Sequence, residues 1–307
     1  MHGLLGIEEL DRAEIQAILD RARYFQPIQN QSFIRRDVLR GRTVVNLFFE
    51  TSTRTRTSFE IAAKRLGADA VSITASASSI TKGESLVDTL NTLAAMRPDA
   101  IIMRHAASGA PHFLARYLPT PIINAGDGTH EHPTQALLDA RTILDRRGTL
   151  ENLHVAIIGD IAHSRVARSN IHLLSKCGAH TVLCGPPSLL PQELGKIAPR
   201  VRLTYDMREA IRNADVIMML RVQLERQHEP PIPSSEYFRF YGLRPEHLEL
   251  AHRDVIVMHP GPINRGREIS SEVADSQRSV ILNQVENGVA VRMAVLERIL
   301  APGEAKN

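Results

Sequence analysis

Three hydroxyls and two guanidiniums crowd into five consecutive residues of this chain, Ser52-Thr53-Arg54-Thr55-Arg56. An apolar run (Val44, Val45, Leu47, Phe48, Phe49) leads into them. Phe59, Ala62, Ala63 and Leu66 follow at helical spacing, with Gly67 as a stop. The hydroxyls and Arg54 therefore fall on the first turn of a helix fed by a strand. There, unpaired N–H groups and the positive end of the dipole favour an anion. Arg54 adds a planar fork suited to phosphate oxygens. Capping alone requires one such hydroxyl, so the crowding points to a phosphate cradle without the glycines of a P-loop.

Further polar groups stand at the ends of other apolar runs: Arg104-His105, residues 127–135, Asp160 to Arg165, Arg221 to Gln223, and His259-Pro260-Gly261-Pro262. His132 precedes a proline that starts a helix, with Gln135 close behind, a setting suited to donating hydrogen bonds to a carbonyl. The spacing of His130-Glu131-His132 matches neither His-Glu-x-x-His nor a zinc ribbon, which argues against a metal. Gly159-Asp160 follows a strand pattern but lacks the second and third glycines of a dinucleotide fingerprint, so no nicotinamide cofactor is expected. Arg165, at the next helix start, suits a carboxylate or solvent equally. Lys82 sits in a Ser-rich stretch, 75–83, that would serve as a mobile lid. The Pro-Gly-Pro turn is a loop corner by default, and its carbonyls could face a ligand NH₂.

Strands that could carry these groups are expected at 44–49, 70–74, 100–103, 121–124, 153–158, 180–184, 216–220 and 255–258. Helices are expected at 13–25, 54–66, 84–96, 111–117, 134–146, 164–177, 207–213 and 279–300, with a polar connection over 223–244. The alternation runs twice, implying an α/β protein of two doubly wound parallel-sheet domains, and 307 residues exceed one usual core. Side chains gathered beyond the carboxyl ends of strands imply an active site in the cleft between the two. Net charge is +3, from 37 basic and 34 acidic residues, too balanced for nucleic acid and better suited to small anions. No apolar run approaches the ~20 residues of a membrane span. Acidic residues from Glu8 onward argue against a signal peptide, and two cysteines give no disulfide framework, so a cytoplasmic protein is expected.

Taken in order, the motifs at 52–56, 82–84, 104–105, 132–135, 159–165, 221–226 and 259–262 resemble the aspartate/ornithine carbamoyltransferase family over nearly the whole chain. Ornithine-type members typically carry a His-Cys-Leu-Pro turn, which is absent here. Lys82, Arg165, Arg221 and Gln223 offer charge for a dicarboxylate instead. The resemblance implies transfer of a carbamoyl group from carbamoyl phosphate to the amine of L-aspartate, without metal or organic cofactor. It implies a carbamoyl-phosphate domain over 1–131, completed by a C-terminal helix at 285–307, and an aspartate domain over 132–284. Ser52, Thr53, Arg54, Thr55 and Arg104 would bind phosphate. His132, Thr55 and Arg104 would polarise the carbamoyl oxygen, and Gln135 with the carbonyls around Gly261 and Pro262 would hold its NH₂. Arg54, Thr55, Arg104 and His132 would thus be the catalytic groups. Arg165, Arg221 and Gln223 would grip aspartate. The resemblance also implies a homotrimer in which a neighbour supplies Ser78 (or Ser79) and Lys82. It leaves a regulatory-chain or dihydroorotase partner open. Glu50, beside the cradle, is expected to pair with Arg165 and Arg226 when the domains close.

Overall fold

The apolar runs at 44–48, 100–103 and 155–158 become parallel strands buried on both faces, as the centre of a sheet covered by helices requires, whereas Val71 in the 70–74 run is exposed. A computed structural model describes residues 3–27, 36–74, 85–222 and 233–301. It divides into two compact units, one of Met1–Arg141 with Glu286–Asn307 and the other of Thr142–Val285.

The first unit begins with β1 (Gly3–Leu4), α1 (Arg12–Phe25), β2 (Thr43–Phe48), α2 (Thr53–Arg65) and β3 (Asp69–Thr74). It continues through α3 (Leu86–Ala95), β4 (Ala100–His105), α4 (Ala110–Ala115) and β5 (Ile122–Asp127) into α5 (Pro133–Arg147). All of its strands run parallel, in the order β1-β5-β4-β2-β3. Helix α1 shows why such segments fold as they do. Asp11 and Glu14 form a capping box at its start, and Ile15, Ile18, Leu19, Ala22 and Phe25 make its buried stripe.

The second unit holds β6 (His154–Ile158), α6 (Arg165–Lys176), β7 (His180–Cys184), β8 (Val201–Thr204), α7 (Met207–Ile211) and β9 (Val216–Met219). After these come α8 (Ser234–Tyr241), α9 (Pro245–Leu248), β10 (Ile256–Met258) and α10 (Ser271–Ala274). Its sheet is again parallel, ordered β10-β9-β6-β7-β8. The last helix, α11 (Ile281–Leu300), belongs to the first unit from Glu286 onward. There Arg21 makes a two-pronged pair with Glu297 at 2.5 and 2.6 Å, and Gln26 donates to Asn287 at 2.7 Å.

The division between the units falls inside α5, between Arg141 and Thr142. The helix is continuous there, and its last residue, Arg147, bonds Asp215 and the Asp254 carbonyl of the second unit. Sequence periodicity did not reveal β1 or β8, which are too short to alternate convincingly. Part of the expected polar connection is helical instead: α8 buries Tyr237 and Tyr241 at i, i+4 while Phe240 stays exposed. Cys177 and Cys184 are free and buried, and burial pushes the Cys184 thiol up to about 12. Among the described residues no helix is long and apolar enough to cross a membrane.

Candidate active site

In the first sheet the chain moves outward from β2 to β3, then returns to the other side of β2 to lay down β4 and β5. The switch point therefore lies between β2 and β4, where open parallel sheets receive ligands beyond their carboxyl ends. The expected phosphate residues end these strands. Ser52 is the N-cap of α2, yet its hydroxyl makes no capping bond, and the first turn holds no acidic residue. Ser52 is half-buried, Thr55 is buried, and Thr53 and Arg54 are exposed. That arrangement departs from ordinary capping, at a helix start whose N–H groups and positive dipole end favour an anion.

Arg104, on the adjacent strand, is in register with Phe48, and its carbonyl accepts from the Phe49 amide at 2.9 Å. Its guanidinium reaches the Ala125 carbonyl at 3.3 Å and the Glu50 carboxylate at 3.3 Å. Glu50 thus lies against Arg104, its neighbour across the strand ends. A register irregularity between Met103 and His105 re-aims the end of β4. His105 packs edge-on against Phe49, and burial lowers its pKa.

Beyond β5, His132 is buried and starts α5, its carbonyl accepting from the Gln135 and Ala136 amides at 2.9 and 3.3 Å. Gln135, also buried, donates through Nε2 to Asp139 Oδ1 at 2.9 Å. Ser52 to Thr55, Arg104, His132 and Gln135 therefore end or follow β2, β4 and β5, three neighbouring strands.

The loop leading to His132 is pinned by two carboxylates whose importance the sequence did not disclose. Asp127 Oδ2 accepts from the Gly109 amide at 2.6 Å and from His130 Nδ1 at 3.1 Å. Its Oδ1 accepts from Asn124 at 2.8 Å and from the Glu131 amide at 3.1 Å. Burial works against ionisation, but the bonds from His130, Asn124 and Gly109 outweigh it and hold Asp127 below the usual carboxylate range. His112, Asp127 and His130 bring ligand-type atoms within 4.8 Å of one another. With four hydrogen bonds filling the Asp127 oxygens, this is a hydrogen-bonded corner rather than an open metal site. Glu131, instead of joining its flanking histidines, turns inward to the Ile7 amide at 2.9 Å from both oxygens and to the Glu8 amide at 3.1 Å.

The second sheet has its switch point between β6 and β9, since β7 and β8 extend one side and β9 and β10 the other. Arg165, buried, is the first residue of α6, whose N-cap Ser164 accepts from the Ala167 amide at 3.1 Å. Arg221, half-buried, follows β9, and Gly261 and Pro262 follow β10. Buried Glu268 joins these strand ends: it accepts from the Val222 amide at 3.0 Å and from Asn264 at 2.7 and 2.9 Å, and lies 4.0 Å from His259 Nε2. Burial pushes its pKa up, against those bonds. His259 Nδ1 accepts from the Gly261 amide at 2.8 Å, and its own amide donates to Gln284, so the Pro-Gly-Pro turn is fixed. Ser78, Lys82, Gln223 and Arg226 lie outside the described residues.

Two family models match the chain. The aspartate/ornithine carbamoyltransferase carbamoyl-P binding domain covers residues 2–145, and the Asp/Orn binding domain covers 151–299. The chain is 79% identical to the aspartate carbamoyltransferase catalytic subunit of Solibacter usitatus, over 97% of this chain and 99% of that one. It is 57% identical to the same subunit of Geobacter sulfurreducens, over 96% and 95%. Among solved structures, Trypanosoma cruzi aspartate transcarbamoylase in complex with N-(phosphonacetyl)-L-aspartic acid is similar at TM-score 0.88 and 32% identity, over 97% and 96% of the two chains. Ornithine carbamoyltransferase from Pyrococcus furiosus gives 0.85 and 29%, over 98% and 97%.

Proposed function

The chain belongs to the aspartate/ornithine carbamoyltransferase family, and on that premise we infer that it transfers the carbamoyl group of carbamoyl phosphate to the amine of L-aspartate. The products are N-carbamoyl-L-aspartate and phosphate, in an early step of de novo pyrimidine biosynthesis. The choice of aspartate over ornithine follows the 79% identity to an aspartate enzyme across nearly the full length of both chains.

The assignment of residues to roles is our proposal. Ser52, Thr53, Arg54, Thr55 and Arg104 bind the phosphoryl group and stabilise charge on it as it departs. Thr55, Arg104 and His132 donate to the carbamoyl oxygen as it becomes a tetrahedral oxyanion, where preorganised donors act most strongly. Gln135 and the carbonyls around Gly261 and Pro262 hold the carbamoyl NH₂. Arg165, Arg221 and Gln223 bind the aspartate carboxylates, with Lys82 and Ser78 supplied by a neighbour in a homotrimer. The amine proton passes to the leaving phosphate, since no side chain here is an evident general base. Transfer needs both substrates together, so this reading requires the ends of β2 and β4 and those of β6 and β9 to serve one site. The observation that carries it is the placing of Ser52 to Thr55, Arg104, His132 and Gln135 at neighbouring strand ends. Assignment to the cytoplasm is likewise our reading, consistent with two free, buried cysteines.

The direct experiment measures phosphate release from carbamoyl phosphate with aspartate or ornithine as acceptor. Turnover with aspartate, competitively blocked by N-(phosphonacetyl)-L-aspartate, is expected. Turnover with ornithine alone, or no inhibition, would refute the assignment.

A further inference from the structure

Two buried charged side chains beside the carbamoyl-phosphate residues have no part in the chemistry just described. Asp139, fully buried, lies one helical turn beyond Gln135 on α5 and accepts from Gln135 Nε2 at 2.9 Å. Arg292 of α11, 4% exposed, donates from Nη1 to Ser58 Oγ at 2.8 Å and to the Gly288 carbonyl at 3.0 Å, with its guanidinium over the Phe59 ring. Burial pushes Arg292 down to about 10, and the charge of Asp139 opposes that fall. A buried charge is costly without an opposite one nearby, and Asp139 and Arg292 supply opposite types. Gly288 makes room for the guanidinium: a Cβ there would meet Arg292 Nη1 at 2.6 Å. Ser58 stands on the same helix as Thr55, so Arg292 ties the phosphate helix into this buried pair.

The consequence lies in the Gln135 amide. A primary amide has one accepting end and one donating end, and either can face a ligand. A carboxylate only accepts, so Asp139 takes the NH₂ and turns the carbonyl oxygen of Gln135 outward. An outward acceptor fits a ligand that presents its own NH₂ and rejects an isosteric methyl group.

We propose that Asp139 is a positioning residue that fixes the Gln135 amide with Oε1 toward the carbamoyl NH₂, and thereby selects carbamoyl phosphate over acetyl phosphate. This rests on the carbamoyl-phosphate reading above. In Asp139→Asn the partner can accept or donate, so the orientation of Gln135 is no longer imposed.

The experiment measures kcat and KM for carbamoyl phosphate at saturating aspartate, together with the inhibition constants of acetyl phosphate and inorganic phosphate. Asp139→Asn is expected to raise KM for carbamoyl phosphate about 10-fold, with both inhibition constants within about 2-fold of wild type. Gln135→Leu should lose the same discrimination, and the double variant should lose no more. Equal shifts for carbamoyl and acetyl phosphate would mean a merely structural role and overturn the proposal, as would no shift at all.

A second measurement uses the wild-type enzyme and does not depend on the variant folding. The ¹⁵N-labelled Gln135 side-chain NH₂, assigned by its loss in Gln135→Leu, should exchange with solvent far more slowly than exposed glutamines, with and without carbamoyl phosphate. Exchange at the exposed rate overturns the proposal. Wild-type enzyme that does not saturate with carbamoyl phosphate would instead defeat the functional reading itself, so the two failures are distinguishable.

Discussion

Glu131→Ala tests whether the loop carrying His132 is held from the far end of the sequence. The Glu131 carboxylate is 1% exposed and accepts from two backbone amides that no helix or strand supplies with a partner. The Ile7 amide, bonded at 2.9 Å to both oxygens, belongs to a fully buried residue, whereas Glu8 is exposed and its amide can turn to water. Removing the carboxylate therefore takes the charged acceptor from one buried donor and leaves the other hydrated. A hydrogen bond to a charged acceptor is worth about 1.5–3 kcal/mol, and a stranded buried donor costs about 1–3 kcal/mol more directly. Counting the loss once, Glu131→Ala should cost about 2–4 kcal/mol, and Glu131→Gln, which keeps one acceptor oxygen, about 1 kcal/mol.

Gly6 gives the internal control. A Cβ at Gly6 would sit 2.4 Å from Glu131 Oε1, so Gly6→Ala must push the same carboxylate off the same amides. The two substitutions should be non-additive, with Gly6→Ala adding little once residue 131 is alanine. With two units in the chain, a single unfolding midpoint is a poor readout. Amide exchange at Ile7 reports the local event, and Glu131→Ala should accelerate it about 30- to 1,000-fold. Exchange within threefold of wild type, or fully additive effects with Gly6→Ala, would refute the reasoning.

The remaining predictions concern charge and assembly. Arg104→Ala should lower kcat by about 10²–10³, the usual cost of a lost oxyanion donor; steady-state assay checks this, and a loss under fivefold would remove Arg104 from the chemistry. The hydrogen bond that His130 donates to Asp127 raises the His130 pKa above 6.5, so its stabilisation is complete below that value and fades as pH climbs through the folded pKa. Asp127 is depressed below 3.8, so its share is complete above 3.8 and fades as pH falls through the folded pKa. The stability gap between wild type and His130→Gln, measured by amide exchange at Gly109 and Glu131, should therefore be widest between about pH 4 and 6.5 and narrow as pH rises through the folded His130 pKa; a gap that widens with rising pH would contradict the pairing. Separately inactive Lys82→Gln and His132→Ala chains, mixed and reassembled, should regain activity if Lys82 reaches a neighbour's site, and no recovery would count against sharing.

Groups that announced themselves in the sequence did so because strand ends are local. A run such as Val44 to Phe49 followed by Ser-Thr-Arg places its polar residues by chain continuity alone. The braces behind them have no local signature. Arg292 meets Ser58 across 234 positions, and Glu131 meets Ile7 across 124, so neither partner could be named without the fold. Glu131 was also disguised, since His130-Glu131-His132 reads as a near-miss metal motif while Glu131 turns to the Ile7 amide and His130 to Asp127. Asp139 was hidden for another reason. A carboxylate at the apolar-looking centre of α5 resembles a solvated helix position until burial shows it to be fully enclosed.

The two sheets also share a logic that neither sequence half states alone. In each, the switch point is followed by a helix that opens Ser-then-Arg with no acid in its first turn: Ser52 with Arg54 at α2, Ser164 with Arg165 at α6. The serines nonetheless differ. Ser164 caps its own helix through the Ala167 amide, whereas Ser52 makes no capping bond. A helix start whose hydroxyl accepts from its own backbone has one N–H fewer to offer an incoming anion. One without that capping bond keeps the N–H for the anion. A phosphoryl group has three oxygens to satisfy and a carboxylate two, so the donor-rich start at α2 suits the phosphate and the sparser start at α6 suits the carboxylate. The proposed roles, carbamoyl phosphate at the first sheet and aspartate at the second, agree with that difference of one capping bond, made at residue 164 and omitted at residue 52.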